Sequence, residues 1–191
     1  MNLYIPEGCK KIHVLFSGGV DSTLLLYLLL LEKQKHNDLE IKCHGLQMHK
    51  NSIKANRCKS ILNVLEQKFN TKIYFNTFNK KFIIRDFVKL LLSVEEGCVF
   101  SGCNKVLDFI QPVNYIEGDT PPVRGNPFNE FHIRPFIDMD KAQIISYYIH
   151  YDILELLNLT HSCGFSMEIP CGNCYFCLER IWGFQQCGIN V

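Results

Sequence analysis

Two groups of residues in this chain have the types and spacing to do chemistry. The first is the run Ser17-Gly18-Gly19-Val20-Asp21-Ser22-Thr23. Glycines let a backbone approach an anion closely and turn in ways closed to other residues. The hydroxyls of Ser17, Ser22 and Thr23 add donors, and Asp21 suits a magnesium ion or the orientation of the loop. The second group is Cys163, Cys171, Cys174 and Cys177, spaced C-x7-C-x2-C-x2-C. Thiolates are soft ligands, and four of them make the closed tetrahedral site that zinc prefers.

Each group has an ordinary reading beside it. A glycine pair can mark any strand-to-helix turn, but here a whole hexapeptide stands between a predicted strand and a predicted helix. A helix start there offers free N–H groups and a positive dipole end, a ready anion site. The spacing is not that of a Walker A loop, since no Gly-Lys-Ser/Thr follows. Four clustered cysteines can also be buried thiols, a redox CxxC pair or iron–sulfur ligands. With every ligand position filled by protein, a zinc ion there is structural, and Gly172 eases the turn at Cys171. Cys9, Cys43, Cys58, Cys98, Cys103 and Cys187 share no ligand spacing and are expected mostly in the core.

The elements that must position these groups alternate. Residues 11–16 (KIHVLF) read as a buried strand ending at the glycines, and residues 23–31 as an apolar helix. Residues 39–48 read as a second strand, 53–69 as a helix, 72–75 as a third strand, 82–94 as a helix and 97–101 as a fourth strand. This alternation predicts an α/β fold: a parallel sheet with helices on both faces. Residues 108–129 contain four prolines and read as a long loop. Residues 132–137 are expected as a last strand and 140–151 as a helix capped by Asp138 or Asp140. Residues 1–160 are taken as the main domain and 161–191 as a zinc-binding segment packed on it.

Composition excludes some classes. The chain has 191 residues, 47% hydrophobic and 20% charged, with a formal net charge of +1. No global basic field points to nucleic acid or an anionic membrane. The longest apolar run, residues 24–31, is far short of the roughly 20 residues of a spanning helix. No secretory signal is read at the start, so the ten cysteines are expected in a reducing, cytoplasmic setting.

Ser17 to Thr23 (SGGVDST) resembles the PP-loop of the ATP pyrophosphatase superfamily. Those enzymes cleave ATP between the α and β phosphates, transfer AMP to a substrate oxygen and release pyrophosphate. Residues 135–138 (PFID), 159–163 (LTHSC) and 171–180 (CGNCYFCLER) resemble the C-terminal half of 7-cyano-7-deazaguanine synthases of the queuosine pathway. The resemblance implies an adenine nucleotide alpha-hydrolase-like, Rossmann-type fold with a small C-terminal zinc knuckle. ATP would lie on Phe16, Ser17, Gly18, Gly19, Val20, Asp21, Ser22 and Thr23, with adenine near Gln47 and Met48. The chain is shorter than those enzymes and departs in the middle. Gln47-Met48-His49-Lys50 stands where they carry Gln-Arg-His, and only Gly102-Cys103-Asn104 echoes their Gly-x-Asn.

The implied reaction is carboxylate adenylation followed by amination, turning 7-carboxy-7-deazaguanine into 7-cyano-7-deazaguanine or its amide. Asp21, Ser22, Lys105 and Arg134 are expected to do the chemistry, with Arg124 and Lys141 as further cations. Gly102, Asn104, Phe100 and Tyr175 are expected on the substrate, a flat carboxylated heterocycle. Partners would be ATP with Mg²⁺, that heterocycle and ammonia; a homodimer is left open. His49 and His161 lie near the expected site, and a nucleophilic Cys103, as in thiolation enzymes, is a lesser alternative. Three other readings stay open: a tRNA-modifying enzyme, a relative that conjugates a carboxylate to an amine, and a zinc-ribbon binding module with a degenerate PP-loop.

Overall fold

The computed structural model describes residues 3–36, 38–79, 83–110, 130–166 and 168–190. Its elements run β1 (Lys11–Leu15), α1 (Val20–Lys35), β2 (Glu40–Leu46), α2 (Ile53–Phe69), β3 (Tyr74–Phe78), α3 (Ile84–Val94), β4 (Cys98–Ser101), β5 (His132–Ile133), α4 (Lys141–His150), α5 (Leu154–Leu159) and α6 (Tyr175–Gln186). The strands form one parallel sheet in the order β3-β2-β1-β4-β5. Chain order reverses between β1 and β4, so the crevice beyond their carboxyl ends is the switch point where open α/β sheets bind ligands. The glycine loop leaves β1 there, and Gly102 leaves β4 there.

α1 is the central helix. It is buried on nearly every side from Val20 to Leu30, which is why its sequence is apolar all round rather than amphipathic. It packs between β1, α2, α4 and α5, and the main core fills that side of the sheet. α3 covers the other face through Phe87, Val88 and Leu91 against Val99. Helices therefore lie on both faces, as expected. α2 starts on Ser52, whose hydroxyl accepts the Ala55 N–H at 3.1 Å, and ends on Asn70 in the left-handed region. α4 is capped by Asp140, not Asp138, in a reciprocal box with Gln143.

The last strand is shorter than its sequence suggests. β5 is only His132–Ile133, and Arg134 falls just past it, before a series of turns. Pro135 has no N–H to give a ladder, which stops the strand there. The proline-rich segment at 111–129, with Arg124, lies outside the described residues. The sequence patterns mark neither α5 nor α6, and only α6 lies in the cysteine-rich end.

Three histidines sit buried on the α3 side of the sheet. His13 Nδ1 lies 3.0 Å from His44 Nε2, and His132 Nε2 lies 3.0 Å from the Ser101 hydroxyl. Burial, with the neighbouring His13, lowers His44 to about 4. Burial, with Arg134 nearby, lowers His132 to about 4, and His13 is lowered chiefly by burial. The folded state thus resists protons that the unfolded chain takes up near the ordinary histidine value of about 6.5. Stability is full above that value and is lost as pH falls from it toward 4, at up to about 1.4 kcal/mol per pH unit for each histidine. Thermal melts stepped from neutral pH to about 4 should show this decline. A flat profile across the window would contradict neutral burial of the histidines.

Candidate active site

The loop after β1 is held ready for an anion. Gly18 has φ +74°, and a Cβ there would come within 2.9 Å of Cys58 Sγ on α2. Both the backbone turn and the tight packing therefore require glycine. The serine hydroxyls occupy the loop's own donors. Ser17 N–H donates to Ser22 Oγ at 3.3 Å, Gly19 N–H donates to Ser17 Oγ at 3.3 Å, and the two hydroxyls lie 3.1 Å apart. Phosphate oxygens arriving here would meet N–H groups already pointed at oxygen. Gly102 closes the other side of the crevice, since a Cβ on it would stand 2.8 Å from the Asp21 carbonyl carbon and the Ser22 nitrogen.

Behind the loop lies a buried ionic chain. Lys141 at the start of α4 is 2% exposed; its Nζ donates to Asp21 Oδ1 at 2.5 Å and lies 3.2 Å from Glu179 Oε2. Glu179 on α6 is 1% exposed, and its Oε1 accepts from Asn104 Nδ2 at 2.7 Å. One lysine thus ties α1, α4, α6 and the turn after β4 together. Asp21 gives one carboxylate oxygen, Oδ1, to Lys141.

The cysteine-rich end forms a wall of the same cavity. His161 N–H donates to the Gly18 carbonyl at 3.1 Å, and Arg180 donates to Thr160 Oγ1 at 2.6 Å and the Leu157 carbonyl at 3.1 Å. The sulfurs of Cys163, Cys171, Cys174 and Cys177 lie within 4.8 Å of one another. Four thiolates about 2.3 Å from one tetrahedral ion sit roughly 3.8 Å apart, so the cluster fits a single structural metal such as zinc. Burial opposes a charged Cys163, but N–H groups of Cys171, Ser166 and Phe165 outweigh it and bring that thiol down to about 6. A sulfur that collects N–H donors is prepared to be a thiolate ligand.

The cavity between loop and wall is about 290 Å³ and is lined by Ser17, Gly19, Val20, Asp21, Lys54, Arg57, Lys141, His161, Ser162, Cys163, Gly164, Phe176 and Glu179. Several expected residues are not brought to it. Phe100 is fully buried, because its strand position faces the main core beside Cys98. Tyr175 is also fully buried, packed on Leu107 and Ile110, with its hydroxyl accepting the Leu107 N–H at 2.9 Å. Neither offers a ring face to a substrate; Phe176, the next residue, does line the cavity. Lys105 is exposed, and neither it nor Arg134 reaches the cavity wall. Asn104 is buried on Glu179 and acts on the site through it. The side chains of Phe16, Val20, Thr23 and Met48 are in the core, so only their backbones are available to a nucleotide. Gln47 is exposed just past β2, in the left-handed region at φ 53°. Such a conformation in a non-glycine residue is uncommon and clusters at binding sites.

Lys54, Arg57, Phe176 and Glu179 had been given no role from sequence. The signal for the first two was present. They lie three apart on α2, on the flank of the 58, 61, 65 stripe that packs inward.

A parallel sheet with helices on both faces and a glycine loop at its switch point gives the chain an adenine nucleotide alpha-hydrolase-like α/β fold. The family model described as Queuosine biosynthesis protein QueC matches residues 108–188, less than half of the chain. No curated protein matches the chain by sequence. Among solved structures, the U34-tRNA thiolase NcsA from Methanococcus maripaludis, with its [4Fe-4S] cluster, is similar at 17% identity and a TM-score of 0.52. That match covers 82% of this chain and 60% of that one, so the chain spans about 60% of the thiolase's length. The FMN adenylyltransferase of Candida glabrata in complex with ATP is similar at 15% identity and a TM-score of 0.45, covering 75% of this chain and 47% of that one. No helix among the described residues is long and apolar enough to cross a membrane.

Proposed function

We propose that this chain is an AMP-producing ligase: it adenylates a carboxylate with ATP and exchanges the AMP for ammonia. The observation that carries this reading is the meeting of the loop after β1 with Gly102 at the sheet's switch point, under a wall built from the cysteine-rich end. The QueC match over residues 108–188 supports the narrower substrate, 7-carboxy-7-deazaguanine, with the nitrile or its amide as product.

The residues support specific tasks. Loop N–H groups and the Ser17 and Ser22 hydroxyls bind phosphate oxygens, exchanging their mutual hydrogen bonds for bonds to ligand. Lys141 keeps Asp21 oriented at the edge of the loop. The substrate carboxylate attacks the α-phosphorus, and the bond to the bridging oxygen breaks, with its electron pair leaving on pyrophosphate. Ammonia then displaces AMP from the acyl carbon and leaves the amide; the nitrile takes a second ATP, which adenylates the amide oxygen so that it leaves with AMP as two protons are lost. Mg²⁺ bound with ATP would offset the repulsion between carboxylate and triphosphate. Phe176 offers the flat face for a heterocycle that Phe100 and Tyr175 cannot offer from the core. Zinc on the four thiolates would hold the wall in shape, with no open position for a reactant.

Incubation with 7-carboxy-7-deazaguanine, ATP, Mg²⁺ and ammonia tests the reading. Equimolar AMP and pyrophosphate with an amide or nitrile product are expected. ADP and phosphate as products would sink the adenylating class. AMP formed only with a different acid would remove the deazapurine and leave the class.

A further inference from the structure

The cavity is polarised in a way the loop alone does not explain. Its Lys141 is neutralised by two carboxylates, Asp21 and Glu179. Its other two cations, Lys54 and Arg57, stand on the first two turns of α2, across from the glycine loop. Neither has a carboxylate within 4.0 Å among the described residues. Both are only half-exposed, so water cannot fully replace the missing anion. Burial is the main cause that lowers Lys54 from its ordinary value. The same helix touches the loop directly at Cys58 beneath Gly18, which keeps the two cations at a set distance from the loop. A half-buried lysine and arginine with no carboxylate beside them among the described residues, facing a nest of N–H and hydroxyl donors, make a site for a doubly or triply charged anion.

We propose that Lys54 and Arg57 form a clamp for the β and γ phosphates of ATP and for the pyrophosphate that leaves. This rests on the adenylating reading above and assigns its leaving-group site to residues on α2. When the α-phosphorus bond to the bridging oxygen breaks, that oxygen carries away the electron pair. The new charge appears on the side of the cavity where the two cations stand. Arg57 suits a bidentate grip on phosphate oxygens, and Lys54 acts as a point charge beside it. AMP has no β or γ phosphate and does not engage the clamp.

Calorimetry on the full zinc-loaded chain tests this, with inorganic pyrophosphate, ATP and AMP as separate titrants. Lys54→Ala and Arg57→Ala are each expected to weaken pyrophosphate and ATP by about 10- to 100-fold, the range for losing a charge-assisted hydrogen bond, and to leave AMP within about twofold. Arg57→Lys is expected to recover part of the pyrophosphate affinity, which a merely structural arginine would not predict at constant melting temperature. Unchanged pyrophosphate affinity in both alanine variants overturns the clamp. Equal weakening of AMP and pyrophosphate overturns it as well, because the two residues would then act on the whole nucleotide or on the fold. If the parent chain makes AMP from ATP while these variants bind pyrophosphate normally, the clamp falls and the adenylating reading stands. If the parent binds neither ATP nor pyrophosphate, that reading falls and the clamp falls with it.

Discussion

Replacing Lys141 with methionine should cost about 3–5 kcal/mol of stability, the range for stranding a buried charge by removing its partner. Among the described residues Lys141 is the one cation in contact with both Asp21 and Glu179, and both it and Glu179 are almost wholly buried. Methionine fills similar volume, so the loss comes from charge rather than packing. The fall in melting temperature should be roughly 6–20 °C for a chain of this size. Pairing the change with Glu179→Gln should recover part of it, because only the partly exposed Asp21 carboxylate is then left unpaired. Asn104 can still donate to a glutamine oxygen, so that part of the network survives. Chemical denaturation of the parent, the two single variants and the pair would measure the coupling directly. A loss below about 1 kcal/mol for Lys141→Met would mean that the chain from loop to α6 does not hold the site together.

Metal removal should have the second large effect. The parent is expected to carry about one zinc per chain, and Cys174→Ser to lose it. Cys174 caps α6 and is 2% exposed, and Cys177 sits in the first turn of the same helix. Without metal, several buried thiols crowd together with no ion to share, and the start of α6 loses its anchor. Two contacts transmit that loss to the loop: Glu179 to Lys141, and the His161 N–H to the Gly18 carbonyl. Hydrogen exchange should rise across residues 160–180, and ATP affinity should fall with it. Metal analysis together with exchange would decide the matter. A metal-free parent, or disulfides among the four cysteines, would remove the structural-metal assignment.

The parts legible in the sequence are those encoded by near neighbours. A strand, two glycines and an apolar helix in a row specify the loop, because the turn geometry and the helix start involve only consecutive residues. Four cysteines within fifteen positions specify the metal cluster for the same reason. Alternating strand and helix patterns were enough for a parallel sheet, since short crossovers permit little else. Residues 53–69 form the helix their spacing suggests; of its apolar set Ile61, Leu62 and Leu65 are buried, while Ile53 is exposed.

Tertiary structure decided which side chains meet across the cavity. Phe100 and Tyr175 each stand one residue from a different environment. A single step along a strand reverses the face, and a step along a helix turns about 100°, so a local reading places the right segment but the wrong ring. Arg134 and Lys105 follow the carboxyl ends of β5 and β4, yet neither lines the cavity. Lys54, Arg57 and Glu179 come from α2 and α6, 122 positions apart between Arg57 and Glu179 (179 − 57), and nothing in their own surroundings marks them as partners of one loop. Their meeting depends on the sheet order β3-β2-β1-β4-β5 and on helices packing over its switch point. Local spacing thus chose the chemistry of the loop and the metal cluster, while the long-range packing of helices on the sheet chose which charges surround the space between them.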